Sequence, residues 1–351
     1  MRIGTVCYAT EQGLGYLAKS FYDAGVITDV MIFRHPHGDR PTRREWYPGA
    51  FEVTSRPFVG ERVERFLDDL DLVLFFETPF DWSFLKRCRE RGVPTVLVPM
   101  YEWFPEKPPH HFDGVICPSL LDQDVFRAMD VPQYRSCEFV PIPVDPIFTW
   151  ERRTIARKFL HNAGNIGSRN HKGTLELLRA MPLVKSPIQL TVRCQDGRGL
   201  RRLIDSVPEV ERDSRIQFVF NSVPRAELFR GHDVYVAPEK YNGLSLPLQE
   251  AFQSGLAVMT TQRYPANTWL PPEPLIPVSN LQRVRVAPGH LAIDECVVRP
   301  EKIAEALDLW YLADVSRLSE AGRDWAERHS WTALRGRWMF ELAKFRRDWS
   351  R

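Results

Sequence analysis

The sequence predicts an α/β protein made of two Rossmann-like domains, and three observations carry that expectation. At 351 residues the chain exceeds what one ordinary core organises and suits two domains of roughly 150 to 180 residues. Short apolar runs alternate with helical patterns in two successive series, the pattern of parallel sheets covered by helices. Between the series lies Val140-Pro-Ile-Pro-Val-Asp-Pro-Ile-Phe148, whose prolines forbid a continuing helix and predict an extended connector.

The first series, over 1–148, opens with Arg2-Ile-Gly-Thr-Val-Cys-Tyr8, a buried strand, then a glycine-bearing turn and a helical pattern from Leu17 to Ala24. Apolar runs at Leu72–Phe76, Pro94–Val98 and Gly114–Cys117 supply further strands, and Ser83–Arg91 reads as a helix between two of them. The second series, over 149–328, places strands at Lys158–Asn162, Ile188–Arg193, Ile216–Phe220, Asp233–Pro238 and Ala257–Thr261, with helices between them. Pro265–Pro277 reads as a loop, and Glu301–Leu312 as a helix with an apolar stripe. In the last segment, 329–351, Trp331, Leu334, Trp338, Leu342 and Phe345 recur at helical spacing with arginines opposite. That spacing predicts a helix packed on its own protein, with a membrane-surface helix as the alternative.

Hydrophobic residues at 44% and charged residues at 26% exclude disordered and fibrous classes. No apolar run approaches the roughly 18 to 20 residues that span a bilayer, so no integral membrane segment is expected. The N-terminus reads directly as a strand, and the six scattered cysteines form no paired motif; a cytoplasmic chain with reduced thiols is the expectation. Residues 1–150 hold 16 basic and 22 acidic groups, the remainder 31 and 23, so the halves carry −6 and +8. A basic second half suits an anionic ligand, although arginine-rich surface helices give the same balance.

The most informative stretch runs from Asp233 to Val258: a strand, the loop Tyr241-Asn-Gly-Leu-Ser245, a helix starting near Leu246-Pro247, and another strand. Ser245 suits the cap of that helix and Pro247 its first turn, which leaves backbone N–H groups near Gly243 to Leu246, those of Gly243, Leu244, Ser245 and Leu246, for phosphate or sugar oxygens. Glu250, one turn in, could accept two hydrogen bonds from a ribose diol, or simply favour the helix dipole.

Asn242-Gly-Leu-Ser-Leu-Pro-Leu-Gln-Glu-Ala251 resembles the donor-site signature of retaining GT-B glycosyltransferases, especially family 4: Glu-Gly-Phe-Gly-Leu-Pro, two residues, Glu-Ala. In that register Glu250 falls on the acid that holds the ribose, and Asn242 replaces the acid that approaches the donor sugar. Glu239, three residues upstream, could stand in for it if the loop is rearranged. Phe159–Gly173 resembles the family's Gly-Arg-Leu, three residues, Lys-Gly segment. There Lys172 falls on the lysine and Gly167 on the arginine, with Arg169 as the nearest substitute. The resemblance implies that Lys172 and Arg169 neutralise the donor diphosphate. Pro141–Phe148, Pro224-Arg-Ala-Glu-Leu228 and His329-Ser-Trp331 resemble the family's linker, pre-donor helix and last-helix start in the same order.

The resemblance extends over nearly the whole chain. It implies a GT-B fold, two Rossmann-like domains facing across a cleft, with the last helix returning to the first. It further implies transfer of a sugar from a nucleoside-diphosphate sugar, a UDP-sugar, to an acceptor hydroxyl, with retention and without a metal or other cofactor. A glycan, a small molecule, a protein or a modified nucleic acid all remain possible acceptors. A catalytically impaired nucleotide-sugar-binding module is the alternative that Asn242 favours, and an enzyme acting on modified DNA bases is another.

In the first domain, Thr10-Glu-Gln-Gly-Leu-Gly-Tyr16 resembles the family's glycine-rich loop, so Gly13 and Gly15 would face the diphosphate and acceptor; a plain turn explains them equally. Glu77 and Asp81 follow one strand, Tyr101 and Glu102 another, which puts all four at the sheet's carboxyl edge as candidates for acceptor contact or a general base. Asp69-Leu-Asp71 spells a metal-binding Asp-x-Asp but precedes its strand, so no metal is assigned to it.

Overall fold

The structure, a computed structural model, describes residues 1–34, 41–164, 170–195, 197–220 and 222–346. The chain divides into two units: Met1–Pro143 with Ala287–Leu291 and the segment from Trp331, and Val144–Val286 with Ala292–Ser330. The division at Pro143/Val144 precedes the expected one because the connector bonds into the second unit. Val144 N–H donates to His329 O at 2.8 Å, and Asp145 pairs with Arg225.

In the first unit the order is β1 (Ile3–Cys7), α1 (Gly13–Asp23), β2 (Asp29–Phe33), β3 (Phe51–Val53), α2 (Glu61–Leu67), β4 (Leu72–Glu77), α3 (Ser83–Glu90), β5 (Thr95–Pro99), β6 (Gly114–Cys117), α4 (Leu120–Arg127) and β7 (Glu138–Phe139). The seven strands form one parallel sheet in the order β3-β2-β1-β4-β5-β6-β7. β1, β5 and β6 are buried along their whole length, which is why they read as unbroken apolar runs and not as alternating ones. α1 starts at Gly13, a turn earlier than its apolar periodicity begins.

The second unit holds β8 (Lys158–Gly164), α5 (Thr174–Ala180), β9 (Gln189–Cys194), α6 (Gly197–Asp205), β10 (Ile216–Val219), β11 (Val234–Ala237), α7 (Leu246–Gln253), β12 (Ala257–Thr260), β13 (Asn280–Arg285), β14 (Ala292–Val297), α8 (Pro300–Trp310) and α9 (Ser316–Arg328). Its five-stranded parallel sheet has the order β10-β9-β8-β11-β12, and β13 and β14 make an antiparallel hairpin. Apolar clusters built on Val192, Val234 and Met259 and on Tyr235, Leu248 and Phe252 fill the unit. The order of connection reverses across the sheet between β8 and β11, the switch point at which parallel α/β sheets bind ligands.

The last helix, α10 (Trp331–Ala343), belongs to the first unit. Trp331 Nε1 donates to Ser20 Oγ at 2.8 Å, Trp338 Nε1 to Pro141 O at 3.0 Å, and both indoles meet Phe21 edge-on at 4.8 Å. The apolar stripe is therefore occupied by protein. No described helix is long and apolar enough to cross a membrane. All six cysteines are buried thiols.

Candidate functional site

The switch point of the second unit gathers the loops after β8, β11 and β12. Gly173 opens α5 at φ 69° and lies against the end of β11: a Cβ there would collide with the Pro238 carbonyl oxygen. Only glycine meets both demands, and the close approach sets Lys172 beside the β11 loop. His161, wholly buried on β8, fixes the same junction through Val236 O at 2.7 Å and Thr174 Oγ1 at 2.8 Å. A carbonyl can only accept, so Nδ1 carries the proton and Nε2 accepts from the threonine. Burial lowers this imidazole to about 4 and keeps it neutral.

Glu239 is the centre of the site. It is completely buried, and it accepts from Lys172 Nζ at 2.5 Å, from Arg263 Nη2 at 2.6 Å and from Ser245 Oγ at 2.7 Å. Burial alone would raise its pKa, but the charges of Lys172 and Arg263 outweigh it and hold the carboxyl at about 2. Arg263 also donates to Asn242 O at 2.6 Å.

Ser245 does not cap α7 as the sequence suggests. Its φ is 45°, in the left-handed region, and its hydroxyl points back to Glu239, so the helix start receives no side-chain cap. The Ser245 N–H is taken by Asn242 Oδ1 at 2.7 Å. Among the described residues, the backbone N–H groups of Gly243, Leu244 and Leu246 have no partner. They are the donors this loop retains for an anion.

Glu250 faces Arg225 Nη2 at 2.7 Å, and the same guanidinium reaches Asp145 through Nη1. Burial pushes the Glu250 pKa up while Arg225 pulls it down; the net direction is upward. Its carboxylate therefore already has one strong partner. Arg169 and Gly167 lie outside the described residues.

Arg263, and the partnership of Arg225 with Asp145, are the features the sequence reading misses. Arg263 was findable: it stands three residues past β12, at the carboxyl end of a parallel strand beside β11. Arg225 lay within a segment already singled out, and nothing local marked its partners.

The first-unit candidates divide. Gly15 is structural, because a Cβ would collide with the Thr10 carbonyl oxygen, whereas Gly13 opens onto free space. Asp81 is committed to the fold: it accepts from Phe58 N at 2.6 Å and from Ser83 N and Oγ at 2.9 and 2.7 Å. Both of its carboxylate oxygens thus already have donors within the fold. Glu77, at φ 67°, is pushed up to about 8 by burial and by the neighbouring Glu102 charge. Asp122 is raised to about 8 for the same reasons and accepts from Tyr101 N at 3.0 Å. Glu102 is itself buried. Asp69 and Asp71 both bond Arg2.

Comparison with known proteins bears on the family and the fold. Residues 157–270 match the family described as glycosyl transferases group 1. No curated protein matches by sequence. Among solved structures, Anabaena HepE in complex with UDP and glucose superposes with a TM-score of 0.68 at 10% identity, over 98% of this chain and 100% of that one. A glycosyltransferase from Rickettsia africae gives 0.66 at 12%, over 98% and 97%. Sucrose-phosphate synthase from Thermosynechococcus elongatus gives 0.62 at 15%, over 98% of each. At such identities the likeness establishes the fold.

Proposed function

We propose that this chain, which has the GT-B glycosyltransferase fold and a glycosyl transferases group 1 segment at 157–270, transfers a sugar from a UDP-sugar to an acceptor hydroxyl. The observation that carries the reading is the pairing of Lys172 and Arg263 on one buried carboxylate beside the unpartnered N–H groups of Gly243, Leu244 and Leu246. A nucleoside diphosphate leaves with its negative charge concentrated on the phosphates. Preset cations and backbone dipoles stabilise that charge as the bond to the anomeric carbon breaks. Glu250 is the ribose acceptor in this reading, with Arg225 opposing the upward push of burial on its pKa.

In this proposal transfer proceeds with retention and without a metal: the leaving phosphate draws the proton from the acceptor on the face it departs from, so no covalent nucleophile is needed. The bond from the anomeric carbon to the phosphate oxygen breaks, that to the acceptor oxygen forms, and the proton ends on the phosphate. Acceptor selection is assigned to the first unit, with Glu77, Tyr101 and Glu102 as candidates.

One observation favours a non-catalytic nucleotide-sugar binder instead. Asn242 is neutral, and its carboxamide oxygen is committed to Ser245 N–H. Calorimetric titration with UDP and UDP-glucose tests the binding claim: wild type binds, and Lys172→Ala and Glu250→Ala each weaken binding by about tenfold or more. Absence of nucleotide binding in the wild type overturns both readings. Slow release of glucose from bound UDP-glucose without acceptor separates the enzyme from the binder.

A further inference from the structure

The second unit also contains a cavity of about 290 Å³ whose lining shares no residue with the donor loops. Its walls come from Trp150 and Arg153 just past the connector, from Ala226, Phe229 and Arg230, and from Ser254 at the end of α7. Arg153 is 7% exposed, and its Nε–H has no partner among the described residues. Its counter-ion is Glu151, 2.6 Å from Nη1, a carboxylate that is itself 61% exposed. A buried guanidinium compensated by one solvated acid leaves the inner wall of the cavity short of acceptors. Arg230 adds a second guanidinium at the rim, 72% exposed. Trp150 is fixed by its Nε1 bond to Ser319 O at 2.9 Å, and Phe229 by edge contact with Phe148 at 5.4 Å. These add aromatic edges to the cavity wall, with the Arg323 guanidinium over the Trp150 ring at 5.2 Å.

From this geometry we infer an effector site for a small organic oxyanion with a planar apolar body. A carboxylate or a phosphate monoester offers the two acceptor oxygens that a guanidinium fork takes. The effector role rests on the donor-site reading above, because the cavity walls continue into the Glu250–Arg225–Asp145 chain. Ala226 follows Arg225, Ile147 N–H donates to Asp145 Oδ1 at 3.0 Å, and Ser254 Oγ donates to Glu250 O at 2.7 Å. An occupant that shifts these segments shifts the ribose acceptor with them.

The test titrates the full chain with phenyl phosphate, benzoate and inorganic phosphate by calorimetry, in wild type, Lys172→Ala, Arg230→Gln and Ala226→Trp. Ala226 is exposed in a short turn, so a tryptophan there blocks the mouth without entering the core. Phenyl phosphate or benzoate is expected to bind more tightly than inorganic phosphate, equally well in Lys172→Ala, about tenfold more weakly in Arg230→Gln, and not at all in Ala226→Trp. The stronger of the two organic probes identifies the head group. No binding of any probe overturns the site. Loss in Lys172→Ala with retention in Ala226→Trp also overturns it, since the anion then sits in the donor loops. The effector role is read separately: the bound probe changes the UDP Kd severalfold, and an unchanged Kd in a chain that binds both overturns that role alone.

Discussion

Lys172 Nζ lies 2.5 Å from Glu239 Oε1, and the glutamate side chain is completely buried while the lysine side chain stays 16% exposed. The acid is therefore the fixed partner and the lysine the one that can meet a ligand. Glu239 holds its carboxyl at about 2 between Lys172 and Arg263. It is a depressed, fully ionised anchor that sets two cations at the edge of the α7 loop.

Removing that anchor leaves Lys172 and Arg263 side by side without a counter-ion. Glu239→Gln should destabilise the chain by about 3–5 kcal/mol, as breaking a buried pair from one side does. Urea unfolding of the two proteins checks it. A change below about 1 kcal/mol would contradict the anchor role.

The acid limb of stability follows from the same group. Its folded pKa of about 2 lies below the ordinary glutamate value of 4.5, so the stabilisation is present above pH 4.5 and disappears as pH falls towards 2. Melting temperature against pH should fall less steeply over that window in Glu239→Gln than in wild type.

Glu77 and Asp122 act with the opposite sign. Both are raised to about 8, so the folded state holds protons that the unfolded state has released, and stability falls as pH rises from about 4 towards 8. Glu77→Gln and Asp122→Asn should each flatten that decline in a melting series. An unchanged slope in both would rule out the protonated carboxyls.

Ser245 sets strain against a charged hydrogen bond. Glycine at this φ relieves about 1–2 kcal/mol but forfeits a bond to a carboxylate worth about 1.5–3 kcal/mol, whereas alanine forfeits the bond and keeps the strain. Urea midpoints should therefore rank wild type above Ser245→Gly, and Ser245→Gly above Ser245→Ala.

Gly173→Ala meets both a left-handed backbone and the Pro238 carbonyl, so the β8–α5 loop must move away from β11. The expected result is a loss of more than about 1 kcal/mol in stability, together with a loss of UDP affinity comparable to that in Lys172→Ala. Unchanged UDP affinity would show that Lys172 is not positioned by this contact.

Sequence by itself determined the two parallel sheets, because strands buried on both faces must be written as continuous apolar runs, as Leu72–Phe76 and Asp233–Pro238 are. The strand order also marked which connections leave the sheet at its switch point, and the family resemblance singled out Lys172, Asn242 and Glu250 there as candidates. The sequence did not reveal β13, whose residues are nearly all exposed and carry no apolar alternation, nor the short edge strand β3. Only the tertiary structure decided who partners whom. Glu239 meets Arg263 from 24 residues away, and Asp145 meets Arg225 from 80, because the strand order sets β11 between β8 and β12. The same order turned Ser245 from a helix cap into a ligand of Glu239. Local pattern is fixed by neighbours along the chain, but the charge of a buried site is fixed by whichever loops the sheet brings together.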